Sequence, residues 1–429
     1  MKRTLKLRIM SLALVSAAFV PAAQAFDFEV GGIYYNLNNT SVSVTFSDLQ
    51  GTYSGNVVIP AQVTYRMQTY PVKGIDNLAF INSTEMTSVK LPDAITYIGD
   101  QAFSHCSSLT EITLPAKLQR IADFAFEYCE NLSTLTIPAS VTQIGYASFM
   151  YCRALTEIQV AEGNPIYTAD NGILYSKDLR MLVHYPASKP DTEFTMPESV
   201  QIVPDGAFSP QYHLQTININ AALSAVTDGL FAECARLGCI NVSPDNQNLA
   251  SVDGALYDKK LTKLLQFPLF HESSYLALPE TVTSLADLSL LGASYLHELE
   301  MPAALTHIGT FALAGCIGIS SVICHAPTPP VSTPNPLNPS GEIFEPAVFA
   351  QASLQVPAES LDAYKADAQW GRFSSIYEIG GSALDAVDAP EAAAPTVTYD
   401  LHGRIIPPGT PRRGFRIEVM PDGHSRLVR

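Results

Sequence analysis

One pattern recurs at a single fixed interval, and it limits this chain to a stack of like units. The stretch "IGDQAFSHCSSLTEITLP" at 98–115 is followed by "IADFAFEYCENLSTLTIP" at 121–138 and "IGYASFMYCRALTEIQV" at 144–160. Take the first isoleucine as column 0, so that the next column 0 stands 23 positions on. Column 5 then holds Phe80, Phe103, Phe126, Phe149, Phe208, Phe231, Leu290 and Leu313. Column 11 holds Met86, Leu109, Leu132, Leu155, Leu214, Leu237, Leu296 and Ile319, and column 14 is aliphatic throughout, from Val89 to Val322. Eight units start at Ile75, Ile98, Ile121, Ile144, Val203, Val226, Leu285 and Ile308. A unit this short cannot bury its apolar face alone, so neighbours stack and each column becomes a ladder in one elongated core. Within "LTEITLP", alternation turns Leu109, Ile112 and Leu114 inward and Glu111 and Thr113 outward. Parallel coils ~4.8 Å apart give eight units a core roughly 40 Å long. Proline at column 17 (Pro92, Pro115, Pro138, Pro302) ends the strand and turns the chain.

Two units are longer, running from Ile144 to Val203 and from Val226 to Leu285, an interval of 59 in each case. The starts at Ile121, Val203 and Leu285 therefore lie 82 apart. Both long units carry a related insert, "NPIYTADNGILYSKDLRMLVHYP" and "NQNLASVDGALYDKKLTKLLQFP". Asn171-Gly172 and Asp253-Gly254 are turn dipeptides between alternating stretches, so each insert is expected to be a hairpin budding from the solenoid. Its tyrosines, Tyr167, Tyr175, Tyr185 and Tyr257, either protrude as contact residues or pack onto the solenoid. Asp170 and Asp253 are turn formers first, with calcium ligation the alternative.

Residues 1–25 join a basic start (Lys2, Arg3, Lys6, Arg8) to an apolar run and the small-x-small site Ala23-Gln24-Ala25, as a secretory signal peptide does. The apolar run is too short to span a membrane, and no integral span is expected elsewhere. The whole chain carries −16, which becomes −20 once the four basic residues of 1–25 are removed. That balance argues against nucleic acid or an anionic membrane as partner. The remaining organisation reads as an N-terminal β cap at 26–74, the solenoid at 75–325, and a proline-rich loop and C-terminal cap at 326–379. An Ala/Pro-rich linker at 380–395 and a small β tail at 396–429 follow. The loop "APTPPVSTPNPLNPSGEIFEP" is too rich in proline to continue a strand ladder. Ser360–Ala368 reads as one amphipathic helix.

Five of the seven cysteines, Cys106, Cys129, Cys152, Cys234 and Cys316, share column 8. Zinc needs close, converging spacing, which is missing. Stacked equivalent residues have parallel Cβ vectors, poor geometry for a disulfide. A nucleophile needs a base partner, and none is evident. Packing in the turn between coils is the expected role. No hydrolase, metalloprotease or nucleotide-binding motif is present, and nine scattered histidines show no ligand spacing. No enzyme, cofactor or metal is therefore expected.

The string Ile98, Gly99, Ala102, Phe103, Cys106, Leu109, Ile112, Leu114, Pro115, Leu118, Ile121 resembles the BspA-like leucine-rich repeat proteins of Bacteroidetes. The asparagine that usually follows such a strand is absent from it. The likeness covers about 75–379, and the segments before and after look like the caps of that family. Tyr399-Asp400-Leu401-His402-Gly403-Arg404, Gly414-Phe415-Arg416-Ile417 and Asp422-Gly423 look like the end of a type IX secretion sorting domain, with a plain β-module as the alternative. The resemblance implies a β-rich solenoid of leucine-rich repeats, secreted or at the cell surface, with adhesion to host or bacterial surface proteins or glycans as its work. The periplasm is the alternative location.

The outward strand positions offer a binding face of Ser88, Lys90, Glu111, Thr113, Thr134, Thr136, Glu157, Gln159, Thr216, Asn218, Glu298 and Glu300, polar and mildly acidic. A surface spacer without a dedicated ligand is the alternative function, and a secreted hydrolase a remote one. Ligand identity, oligomeric state and the fate of the tail are not written in the sequence.

Overall fold

The structure, a computed structural model, describes residues 26–47, 53–208, 210–332 and 341–381, and the backbone of 397–400, 416–419 and 425–428. Residues 1–25, expected to be a signal peptide, and the expected linker beyond Gly381 lie outside the described residues. The chain is a β-solenoid with a small helical C-terminal segment.

Three backbone ladders hold successive coils together. Column 0 forms a short parallel sheet, with Tyr97–Ile98, Arg120–Ile121 and Gln143–Ile144 in register. Columns 13 to 16 form a longer one, where Leu135 pairs with Ile158 and Ile217 with Ile240. Between them a turn region makes a third ladder. The N–H groups of columns 3, 5 and 7 donate to carbonyls of the next coil, as Gln101 to Asp123 at 2.9 Å, Phe103 to Ala125 at 2.8 Å and His105 to Glu127 at 2.8 Å. That turn needs a left-handed residue at column 3. Leu78, Gln101, Phe124, Ala147, Leu288 and Phe311 adopt φ between 48° and 63° there. Each such residue costs roughly 1–2 kcal/mol, which the ladder and the buried column beside it offset.

The apolar columns fall inside as the repeat dictates. Phe80, Phe103 and Phe126 are fully buried and stack at 4.8 Å and 5.2 Å. The column 8 thiols are buried and free, and each donates to the carbonyl of the column 5 residue one coil back. The sulfur–oxygen distances are 3.1 Å for Cys106–Phe80, 3.2 Å for Cys129–Phe103 and 3.1 Å for Cys316–Leu290. Gln211 stands at the same column, and its Nε2 reaches the Tyr185 carbonyl at 2.9 Å. The cysteine therefore serves as a small apolar residue with one weak donor.

The two long units hold a surprise. Leu264 pairs in parallel with Leu285, a column 0 residue. Met181 likewise bridges Ile202, which sets Leu182 beside Val203. Phe194 and Leu276 then take column 14, pairing with Ile217 and Leu299. Each long unit is thus two coils, the first pair starting at Ile144 and Leu182 and the second at Val226 and Leu264. Ten coils start between Ile75 and Ile308 rather than eight.

The inserts do not bud outward. Tyr167–Asp170 pairs antiparallel with Ile173–Ser176 through left-handed Asn171 and Gly172, and Leu249–Val252 pairs with Ala255–Asp258 through Asp253 and Gly254. Both hairpins lie between coils. The base of the first accepts the Ile144 N–H on the Tyr167 hydroxyl at 2.9 Å, and its tip accepts the Ile158 N–H on the Gly172 carbonyl at 2.8 Å. Its residues alternate between two cores, Leu174 facing the first and Ile173 and Tyr175 the second. The second hairpin repeats this, with Leu256 facing the middle core and Ala255 and Tyr257 the last. Tyr175, Tyr185 and Tyr257 are at most 1% exposed, so they pack and do not protrude.

Three buried asparagines support these departures. The amide of Asn164 donates to the carbonyls of Pro138 and Val141, at 2.9 and 3.0 Å, and its oxygen accepts the N–H groups of Ile166 and Tyr167. Asn220 and Asn246 make the same four contacts in their coils. The asparagine absent from the regular string is thus present at column 20 of the two long units, as Asn164 and Asn246, and at column 17 of the coil between them, as Asn220.

At the N-terminal end Phe28–Val30, Ile33–Asn38 and Ser41–Thr45 form an antiparallel cap that joins the short sheet. At the other end Trp370 is 1% exposed and its Nε1 donates to the Pro330 carbonyl at 3.0 Å. The expected helix is shorter than 360–368: a 3₁₀ turn Ala358–Ser360 leads into α-helix Leu361–Ala366, where Asp367 ends it. A second helix, Pro346–Gln351, was not expected. The proline-rich loop does extend the short sheet, since Val331 pairs with His307, one rung more than proline content suggested. Strands Val397–Asp400, Arg416–Val419 and Ser425–Val428 pair antiparallel.

If Phe267 belongs to the same ladder as Phe126, the substitutions Phe267→Ala and Phe126→Ala should each destabilise by about 3–5 kcal/mol. Urea unfolding followed by circular dichroism reads this. A loss at Phe267 below ~1 kcal/mol would return it to a peripheral hairpin.

Candidate functional site

The outward positions of the long sheet carry the expected face, but the face is not continuous. Strands fall into groups separated by the hairpin tips. Gly55–Val58, Met86–Lys90 and Glu111–Ile112, with Thr134–Ile137 and Glu157–Val160 beyond them, precede the first tip. Glu193–Thr195, Thr216–Ile219 and Cys239–Val242 lie between the tips, and the strands from Tyr275–Ala277 to Ser375–Glu378 follow the second. The tips take the places where the next strand would pair, because Ile158 and Ile240 give their N–H groups to the Gly172 and Gly254 carbonyls. One long face becomes three facets.

The facets differ in what their side chains have left to offer. On the first, Lys90, Glu111, Thr113, Thr134 and Thr136 are exposed, and none has a side-chain partner among the described residues. Gln159 is exposed but donates to Glu157 at 2.9 Å. On the middle facet Asn218 donates to Glu193 at 2.7 Å and Thr195 at 3.0 Å and accepts from Asn241 at 2.9 Å, while Thr216 is half-buried beside it. On the last facet Glu300 accepts from the Tyr275 hydroxyl and faces His325 Nε2 at 2.8 Å, with Glu298 half-buried on the same strand. Those two hydrogen bonds hold the Glu300 carboxyl below its ordinary range. A pinned carboxylate of this kind is a structural cross-link between strands rather than half of an acid–base pair.

Other displaced groups are also structural. Burial pushes the thiols of Cys106, Cys129, Cys152, Cys234 and Cys316 up, the opposite of nucleophile activation. Glu127 is fully buried in the turn ladder, with one hydrogen bond from Ser104 at 3.1 Å, and burial pushes it up to about 7. His184 is buried against Phe149 and falls to about 4 because burial disfavours its charge. Among the described residues no three His, Cys, Asp or Glu side chains cluster as metal ligands. No helix among them is long and apolar enough to cross a membrane.

Comparison with known proteins agrees with this architecture. A sequence model of the BspA type leucine-rich repeat region matches residues 73–189, 185–265 and 266–328, in six copies, more than half of the chain. The structure of the pneumococcal vaccine antigen PcpA aligns over 82% of this chain and 98% of its own at 17% identity, with a TM-score of 0.52. A leucine-rich cell surface protein from Faecalibacterium prausnitzii aligns over 85% and 98% at 21% identity and a TM-score of 0.49. A leucine-rich repeat protein from Bacteroides capillosus is 32% identical over 31% of this chain and 97% of its own, with a TM-score of 0.29. The likeness to PcpA is one of fold. No curated protein matches the chain.

Two measurements follow. Six of the seven thiols are buried and Cys239 is half-exposed, so iodoacetamide should label one thiol per native chain, and Cys239→Ser should remove it. For Glu127, the fold favours the neutral carboxyl. Its contribution to stability is complete below the ordinary carboxyl pKa and is lost as pH climbs through about 7. Melting temperatures of Glu127→Gln and the natural chain should agree near pH 4, with the variant more stable at pH 8. Parallel curves across that range would remove Glu127 as the cause.

Proposed function

This chain belongs to the BspA-type leucine-rich repeat family, and from that premise we propose that it is an exported surface protein that binds a protein or glycan through the first facet of its long sheet. The observation that carries the reading is the set Lys90, Glu111, Thr113, Thr134 and Thr136, exposed and uncommitted to any side chain among the described residues. The equivalent positions Asn218 and Glu300 are tied into cross-strand bonds. Polar side chains in rows on a rigid sheet are what an extended interface uses, since the backbone is already in place and these groups give up no existing side-chain bond on binding. Export is supported by the basic, apolar and small-x-small order of residues 1–25. The tail from 396 serves as a sorting or display module, and the domain divisions at 26, 75, 326 and 380 follow the changes in sequence pattern.

Protease treatment of intact producing cells, with mass spectrometry of released peptides, tests the location. Peptides from 75–379 should be released without lysis, and their appearance only after lysis would overturn surface display. The purified protein is then screened against matrix proteins and glycans. Combined substitution of Lys90, Glu111 and Thr136 by alanine should weaken any binding at least about tenfold. A chain that binds nothing in such a screen is the spacer of the alternative reading.

A further inference from the structure

The two gaps that the hairpins open in the long sheet are equivalent places in the repeat, yet they are walled by different chemistry. Around the first stand Ala154, Glu157, Ser188 and Lys189. Lys189 is folded in at 6% exposure, with its Nζ 2.9 Å from Asp191. Their counterparts around the second are Arg236, Cys239, Phe270 and His271, and a cleft of about 680 Å³ opens there. The solenoid does not require these residues at these positions, because the first gap is built without them.

Three features define what the cleft can take. Its aromatic element is in water: Phe270 is 53% exposed and meets Tyr295, 58% exposed, edge to face at 5.5 Å. Its charges do not favour an anion, since Arg236 is set against Asp253 and Glu272. Its strand edge is spent. Ile240 gives its N–H to the Gly254 carbonyl at 2.9 Å and Val242 gives its own to Ser251 Oγ at 3.0 Å, so an extended peptide cannot add as another strand. His271 is likewise committed, with Nε2 2.6 Å from the Asp253 carbonyl and Nδ1 accepting the Ser273 N–H at 3.1 Å. It forms a fixed wall, with both ring nitrogens already engaged.

We propose that this cleft binds a neutral oligosaccharide. One sugar ring lies with its C–H face on Phe270, and its hydroxyls pair with the flat, two-pronged groups of Arg236 and Glu272 and with Thr216. The volume falls within the range of about 300–1,000 Å³ typical of small-ligand sites. The site is separate from the first facet and does not rest on that facet's role.

The test uses the full chain and saturation-transfer NMR with neutral trisaccharides of glucose, galactose, mannose and N-acetylglucosamine, beside a gelatin peptide digest. At least one trisaccharide should bind in the millimolar range or tighter. Phe270→Ala and Arg236→Ala should each weaken that binding about tenfold or more, whereas Lys117→Ala, an exposed change away from both the cleft and the first facet, should leave it unchanged. Both altered side chains are exposed, so unaltered melting curves are expected. No binding by any trisaccharide, or binding indifferent to both substitutions, overturns the proposal. So does a gelatin peptide that binds in a Phe270-dependent way, which would assign the cleft to protein chains.

Discussion

Coil-to-coil stacking is the interaction on which everything else in this molecule depends. A coil has no interior of its own. Its phenylalanine is covered by the phenylalanines above and below, as in the stack from Phe80 to Phe126. Its turn N–H groups find acceptors in the next coil, and its column 8 thiol finds one in the last. The left-handed residues at column 3 are tolerable because the turn they make aligns those donors. Two consequences follow from one-dimensional packing. Each end leaves a coil half covered, which the antiparallel strands before Thr45 and the Trp370 segment correct. Any insertion must also offer an apolar surface to both neighbours or be expelled.

The hairpins meet that second demand through the two-residue period of a strand. In Ile173–Ser176 and Ala255–Asp258, successive side chains enter different cores, so a single strand seals two stacks at once. Their tips also deal with an edge problem. Where the long sheet is interrupted, the strands of Ile158 and Ile240 would present free N–H groups to any passing strand, and the Gly172 and Gly254 carbonyls occupy them. The same device that keeps the solenoid from pairing with itself divides its outer face into three.

The regular coils were legible because every column repeats at one spacing. The two missed coils were not, and the reason is specific. Column 5 normally lies five positions after column 0, as Phe103 does after Ile98, but Tyr185 follows Leu182, and Phe267 follows Leu264, by only three. This shortening removes the register by which the pattern is recognised, and Asp191 and Ser273 stand where column 11 would be apolar. Pro197 and Pro279, each one regular interval before Asn220 and Pro302, were the surviving signals. Asn164 and Asn246 escaped because they stand at column 20, which is aliphatic in the regular coils (Ile95, Leu118, Val141, Leu223, Leu305), and Asn220 because it replaces the proline of column 17. Of the face, the outward direction of each residue was legible from alternation. Which residues are spoken for was not, since Asn218 and Glu300 are committed by neighbours one coil away.

That contrast locates specificity in this fold. Positions that recur in every coil are constrained by stacking, so they carry little information about a ligand. The first gap can be walled by Ser188 and Lys189 and the second by Phe270 and His271 without change to the coils on either side. Variation is therefore tolerated at the breaks and on the outward rows, while Phe126, Cys129 and Leu132 beneath them are held. A solenoid of this kind can change what it binds by altering side chains at a hairpin gap while keeping its ladders intact, so the breaks in the repeat are where its recognition chemistry can diverge most freely.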